Sequence, residues 1–163
     1  MIICGIDQSL SATAIVIFNK ETKEVIKFRV FKSNPKRDGV KLELEDRLED
    51  FAHNILSYIL NNEVEYIAIE SLSLMSKSSS SLMLAGLYYH LLIEFKKNFI
   101  PFSKVPPKSL KKMATGNGNA SKIEMFNAVE PSVQGRFMEA GFKKTTGLYD
   151  LADAYHLGKT ILK

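Results

Sequence analysis

Cysteine is almost missing. Cys4 is the only one among 163 residues, which excludes an internal disulfide and a zinc site built from thiolates; its place in an apolar run suits a small core residue. Histidine is scarce as well, with three, and no His or Cys cluster forms along the chain. Long apolar runs are absent. The most apolar stretch, Leu82 to Ile93, is broken by Gly86 and His90 and falls short of the roughly 20 residues that span a bilayer. The N-terminus has no basic segment ahead of Ile2 and Ile3 and meets an acid at Asp7, so it does not read as a signal peptide. The expectation is a cytoplasmic protein in a reducing compartment, with no membrane role. Internal repeats are absent too, and the only biased segment is a serine-rich run at 71–81.

What is present is the composition of an ordinary globular domain, 45% hydrophobic and 25% charged, long enough to bury a core without a staple. One domain over residues 1–163 is expected. Charge is uneven along it. Residues 1–95 carry ten Lys and Arg against thirteen Asp and Glu, a net −3, while residues 96–163 carry twelve against five, a net +7. A basic surplus of this kind either is a solvated face or attracts a polyanion, because each phosphate neutralised releases counterions.

Apolar runs at 2–7, 12–19 and 24–31, separated by short polar turns, predict three strands in an antiparallel meander, closed by a loop at Ser33-Asn34-Pro35-Lys36. From about Lys41 to Asn61, Leu44, Leu48, Phe51, Ile55 and Ile59 recur at helical spacing. Val64 to Glu70 reads as a buried strand that ends in an acid. A helix running to about Lys97 is apolar on nearly every face, which means burial or an interface. Ile100 to Val105 is a further strand, Pro106-Pro107 opens a helical turn, and Ser121 with Glu124 has capping-box spacing for a helix to Val129. A last helix is predicted from Leu148 to Leu162. The element order predicts an α/β fold of the ribonuclease H-like kind, with a five-stranded mixed sheet, three strands antiparallel and then parallel ones, flanked by helices.

Asp7 and Glu70 each end an apolar strand. An acid at a strand end is often only a turn or cap residue. If the two strands are parallel neighbours, however, about 4.8 Å apart, both carboxylates converge, and like charges that close call for a cation. Asp150 and Asp153 stand three apart on the last predicted helix and therefore share a face. Asp150, near the helix start, also suits the macrodipole and needs no further role. An oxygen-only set selects Mg²⁺ or Mn²⁺ over zinc.

Gly5-Ile6-Asp7, Ala68-Ile69-Glu70, the segment from Val105 to Lys122 and Asp150-Leu151-Ala152-Asp153 resemble, in this order and at these separations, the motifs of RuvC-type Holliday-junction resolvases. Together they span nearly the whole chain. The resemblance implies a ribonuclease H-like fold, a homodimer, and Mg²⁺-dependent cleavage of branched DNA by paired nicks in recombination and repair. By motif match it implies that Asp7, Glu70, Asp150 and Asp153 are catalytic metal ligands, and that Lys111 and Lys122 contact DNA. Two Mg²⁺ per site, replaceable by Mn²⁺ and bridged by Asp7, fit hydrolysis by in-line attack of water on phosphorus.

Departures from the family pattern are Gln8-Ser9, where Pro-Gly often follows the first aspartate, and Ser71 to Met75, where an aromatic often follows the glutamate. Leu72, Leu74 or Met75 are the candidates for an apolar wedge at the junction centre. His156, one turn beyond Asp153, is a candidate for orienting a ligand or water, whereas His53 and His90 are expected in the core or an interface. Tyr88-Tyr89 is expected to pack, in part across a dimer contact. The rival activity is a ribonuclease H-like nuclease acting on RNA–DNA hybrid or structured RNA. A nucleotide-binding domain of the actin/Hsp70 sort lacks room here for its second half and its second phosphate loop. A junction binder without catalysis leaves the acidic set unexplained.

Overall fold

The computed structural model describes residues 1–72 and 78–162. Its main sheet is formed by β1 (Ile2–Asp7), β2 (Thr13–Asn19), β3 (Val25–Phe31), β6 (Tyr66–Glu70) and β7 (Phe102–Val105), in the order β3-β2-β1-β6-β7. A small second hairpin pairs β4 (Lys36–Arg37) with β5 (Val40–Lys41). The helices are α1 (Leu44–Asn61), α2 (Ser79–Lys97), α3 (Pro107–Thr115), α4 (Lys122–Asn127), α5 (Pro131–Glu139) and α6 (Leu148–Ile161). The meander is antiparallel across β1, β2 and β3, and the strands added after it, β6 and β7, run parallel to β1. The predicted five-stranded mixed sheet flanked by helices is therefore the observed one.

Alternation in β1 splits the core into two layers. Cys4 and Ile6 pack with Ile67, Ile69, Phe51, Ile55, Leu87 and Leu91, the layer of α1 and α2. Ile3 faces the other way, into a layer with Phe18, Phe137, Leu151 and Tyr155 that α5 and α6 cover. Each large side chain so enclosed contributes roughly 1.5–3 kcal/mol by leaving water. Because side chains in a strand alternate, Gly5 and Asp7 fall on the α6 side of the sheet.

Local detail departs from the sequence expectation at several points. The loop expected at 33–36 leads into the β4–β5 hairpin, because Asp38 and Gly39 both adopt positive φ, 50° and 81°, the pair a two-residue hairpin turn demands. The first helix consequently starts at Leu44 instead of Lys41. Helix α5 is an element that the apolar periodicity does not predict; Pro131 opens it at a position where the missing N–H is harmless, and Val133 and Phe137 anchor it. His53 is exposed and His90 half-buried, so of the two settings expected for them the core is ruled out and the interface is the one left. On α2 the apolar surface divides, with Leu87, Tyr88, Leu91, Leu92 and Phe95 buried and Leu82, Tyr89 and Ile93 exposed.

Candidate active site

Parallel pairing of β1 with β6 sets Ile6 beside Ile69, so the next residues, Asp7 and Glu70, leave the sheet side by side on one face. Ala68, two residues before Glu70, belongs to the cluster with Leu157 of α6, which identifies that face as the α6 side. Helix α6 lies on β1 at backbone contact. A Cβ built on Gly5 would overlap the Ala154 carbonyl oxygen and the Gly158 amide, and one on Gly158 would overlap the Phe18 ring. Glycine at both positions is what lets the helix sink onto the sheet and carry Asp150 and Asp153 to the strand ends. The sequence carries a signal for this, since a glycine inside a strand marks a close approach.

The four carboxyls sense one another. Burial raises the Asp7 carboxyl well above its ordinary range, and Asp153, Glu70 and Asp150 push the same way, against Lys122. Burial, then Asp153, lifts Glu70 to about 7, opposed by Lys111. Asp153 is raised to about 6 by burial, with Lys122 and Lys111 opposing and Asp150 adding; Asp150 is raised by burial and opposed by Lys122. Two physical causes are thus at work, loss of hydration and like-charge repulsion, and both favour the proton. Among the described residues no three His, Cys, Asp or Glu side chains close into a finished metal cage. What the acids share is a field; their donor atoms are not drawn to ion-binding contacts.

Lys111 on α3 and Lys122 at the start of α4 reach the same place. With Glu70, Asp153, Lys108 and Met125 they line a cavity of about 440 Å³. Lys108, one turn before Lys111, carries no mark of its own in the sequence, and only the fold shows it at the cavity. The α4 start is held by the expected capping box, with the Ser121 hydroxyl accepting from the Glu124 amide and the Glu124 carboxylate accepting from the Ser121 amide, a device worth about 1 kcal/mol. His156 does not turn toward the acids with Nε2, which instead lies 2.8 Å from the Met125 carbonyl oxygen. Of the wedge candidates, Leu72 is half-buried against the α1/α2 layer, and Leu74 and Met75 lie outside the described residues.

The site therefore gathers an oxygen-rich, electrostatically frustrated pocket with lysines at its rim, at the C-terminal ends of two parallel strands. Comparison with known proteins agrees. The family model described as crossover junction endodeoxyribonuclease RuvC matches residues 3–133. A protein of Ehrlichia ruminantium (strain Gardel), crossover junction endodeoxyribonuclease RuvC, is 25% identical over 154 residues, 94% of this chain and 91% of the relative. In fold, the RuvC structure of Thermus thermophilus matches 98% of this chain and 92% of its own with a TM-score of 0.71 at 18% identity. The fowlpox virus resolvase in complex with Holliday junction DNA matches 99% of this chain and 97% of its own with a TM-score of 0.61 at 15% identity. Since the family model covers most of the chain, the protein belongs to the crossover junction endodeoxyribonuclease RuvC family, and is an endodeoxyribonuclease of that family's type.

Proposed function

We propose that the protein resolves four-way DNA junctions by paired nicks, with Asp7, Glu70, Asp150 and Asp153 as the catalytic set and Lys111 and Lys122 as contacts to the DNA backbone. The observation that carries this is that Glu70 and Asp153 line one cavity with Lys111 and Lys122, while Asp7, beside Glu70 on the paired strands, is pushed up by the other three acids as well as by burial. Carboxyls held that far from their ordinary state ask for cations, and the donors are all oxygen, which fits Mg²⁺ and admits Mn²⁺. These four residues would hold the metal, two ions per site in our reading. Bound there, divalent ions supply charge neutralisation at the phosphate and an acidified water.

The protein's own residues do the rest. Lys122 and Lys111, both opposing the acids electrostatically, draw the phosphodiester in and hold its position over Asp7 and Glu70. Carboxylates freed of protons orient the attacking water; the buried strand ends keep them fixed while the backbone is cut. We read residues 1–163 as one nuclease domain.

A homodimer supplies the second nick. The exposed residues of α2 form a stripe, Leu82 at 71%, Tyr89 at 55% and Ile93 at 52% exposure, with Gly86 between them on the same face. That spacing is the seam of a helix pair, and we assign it to a second copy of the chain. No helix among the described residues is long and apolar enough to cross a membrane, and we infer action on DNA in the cytoplasm. The test is cleavage of a labelled four-way junction, a flayed duplex and an RNA–DNA hybrid with and without Mg²⁺. Preference for the junction is expected; preferential cutting of the hybrid replaces this reading with that of an RNA-cleaving nuclease.

A further inference from the structure

His156 is buried, 6% exposed, and packs at the junction of α6 with α4. Its Nε2 lies 2.8 Å from the Met125 carbonyl oxygen. A carbonyl only accepts, so Nε2 carries the proton and the ring donates. Burial, the larger influence, holds the imidazole below its ordinary pKa, and the bond to Met125 opposes that.

The acceptor is an open one. Helix α4 has six residues, far fewer than a helix needs to stand alone, and its last carbonyls lack helical partners. The amides that follow Met125 at the helix end are committed elsewhere, Ala128 to the Glu124 carbonyl and Val129 to the Phe126 carbonyl. His156 takes the carbonyl they leave. At the other end of the same helix, one turn away, stands Lys122, whose charge acts on Asp7, Asp150 and Asp153. Between them the Met125 side chain is buried with Leu110, Ala120 and Leu157.

We propose that His156 is a positioning residue: its Nε2–H caps the open carbonyl of Met125 and so holds α4, with Lys122 at its head, against the acidic face of α6. One residue of α6 thereby fixes a lysine relative to two acids on that same helix, Asp150 and Asp153. The role rests on Lys122 being a phosphate contact, as proposed above.

Amide exchange of the metal-free whole protein tests the hold on the helix. In H156L, exchange at Ala128 and Val129 is expected to quicken by about ten-fold, the loss of one buried hydrogen bond, with α3 unaffected. In H156Q, which keeps an N–H donor, most of the protection returns. Should H156L not fold, H156N, polar but short, replaces it. Salt dependence of four-way junction binding in EDTA tests the consequence. H156L is expected to flatten the slope of log affinity against log salt by about one, as K122A does. The double variant H156L/K122A falls no further than K122A, whereas H156L and K111A add. Unchanged α4 exchange in H156L, or full additivity of H156L with K122A, overturns the proposal. Fast α4 exchange with an unaltered slope in K122A instead overturns the role given to Lys122, and leaves the capping of α4 by His156 in place.

Discussion

Gly5 of β1 and Ala154 of α6 meet backbone to backbone, so closely that a single methyl group at position 5 would overlap the Ala154 carbonyl oxygen. The contact sits two residues from Asp7 along the strand and one from Asp153 along the helix, so it sets how far apart those acids stand. Gly5→Ala therefore is expected to push the helix outward. The obstacle is backbone rather than a flexible side-chain tip, so the cost lies at or above the top of the roughly 1–3 kcal/mol range for overpacking, a fall in Tm of roughly 6–12 °C for a chain of this size. Thermal melting checks stability. Single-turnover cleavage at a temperature where the variant stays folded checks alignment, and a wild-type rate there contradicts the role of this contact.

Asp7→Asn and Glu70→Gln are expected to abolish junction cleavage in Mg²⁺, by at least about 10³-fold, in line with the loss of a principal charge-stabilising group. Binding measured in EDTA should persist or tighten, because each change removes a negative charge facing the DNA. Normal cutting by either variant removes that residue from the site.

The raised carboxyls make stability depend on pH with a definite sign. Glu70 goes from an ordinary 4.5 to about 7 and Asp153 from 3.8 to about 6, so between those values the folded protein holds protons that the unfolded chain has released. Stability from these groups is consequently lost as pH rises from about 4 to 7, and the full cost stands above pH 7. His156, with a lowered pKa, acts in the opposite sense but is common to wild type and Glu70→Gln. The Tm of metal-free Glu70→Gln relative to wild type should therefore climb between about pH 5 and pH 8, by roughly 2–4 °C for each kcal/mol relieved. Mg²⁺ or Mn²⁺ should stabilise the wild type more at about pH 8 than at about pH 5. A Tm difference flat across this interval would mean that Glu70 titrates as a free carboxylate.

Lys122→Ala and Lys111→Ala should each weaken junction binding more at low salt than at high salt, lowering the salt slope by about one for every phosphate that is no longer neutralised. Titrations at several salt concentrations separate this from misfolding, which reduces affinity without changing the slope.

On α2, Tyr89→Asp or Ile93→Asp places a charge in the proposed seam without touching the buried face that Leu87, Leu91 and Phe95 form. Sedimentation of the wild type should give a dimer and of either variant a monomer with unchanged Tm below the dissociation range. A variant that stays dimeric moves the interface elsewhere.

The amino-acid sequence by itself determined the elements that repeat. Alternating and continuous apolar runs specify β1, β2, β3 and β6, because a buried strand needs apolar residues at set positions whatever lies next to it. The i, i+3, i+4 pattern does the same for α1, and Ser121 with Glu124 marks the start of α4. The acids Asp7, Glu70, Asp150 and Asp153 are legible as candidates for the same reason: each ends or faces an element whose period can be read locally. The hairpin at Asp38-Gly39 is just as local, but its two short strands carry no apolar run to announce them. Tertiary structure alone decided what depends on two distant segments meeting. That Gly5 and Gly158 let α6 lie on the sheet, that Lys108 joins Lys111 at the cavity, and that His156 turns to Met125 rather than to the acids are outcomes of packing between segments far apart in the chain. A glycine inside β1 hints that something comes close there, but which surface meets it, and where Lys108 and His156 point, are properties of paired surfaces that neither segment carries alone.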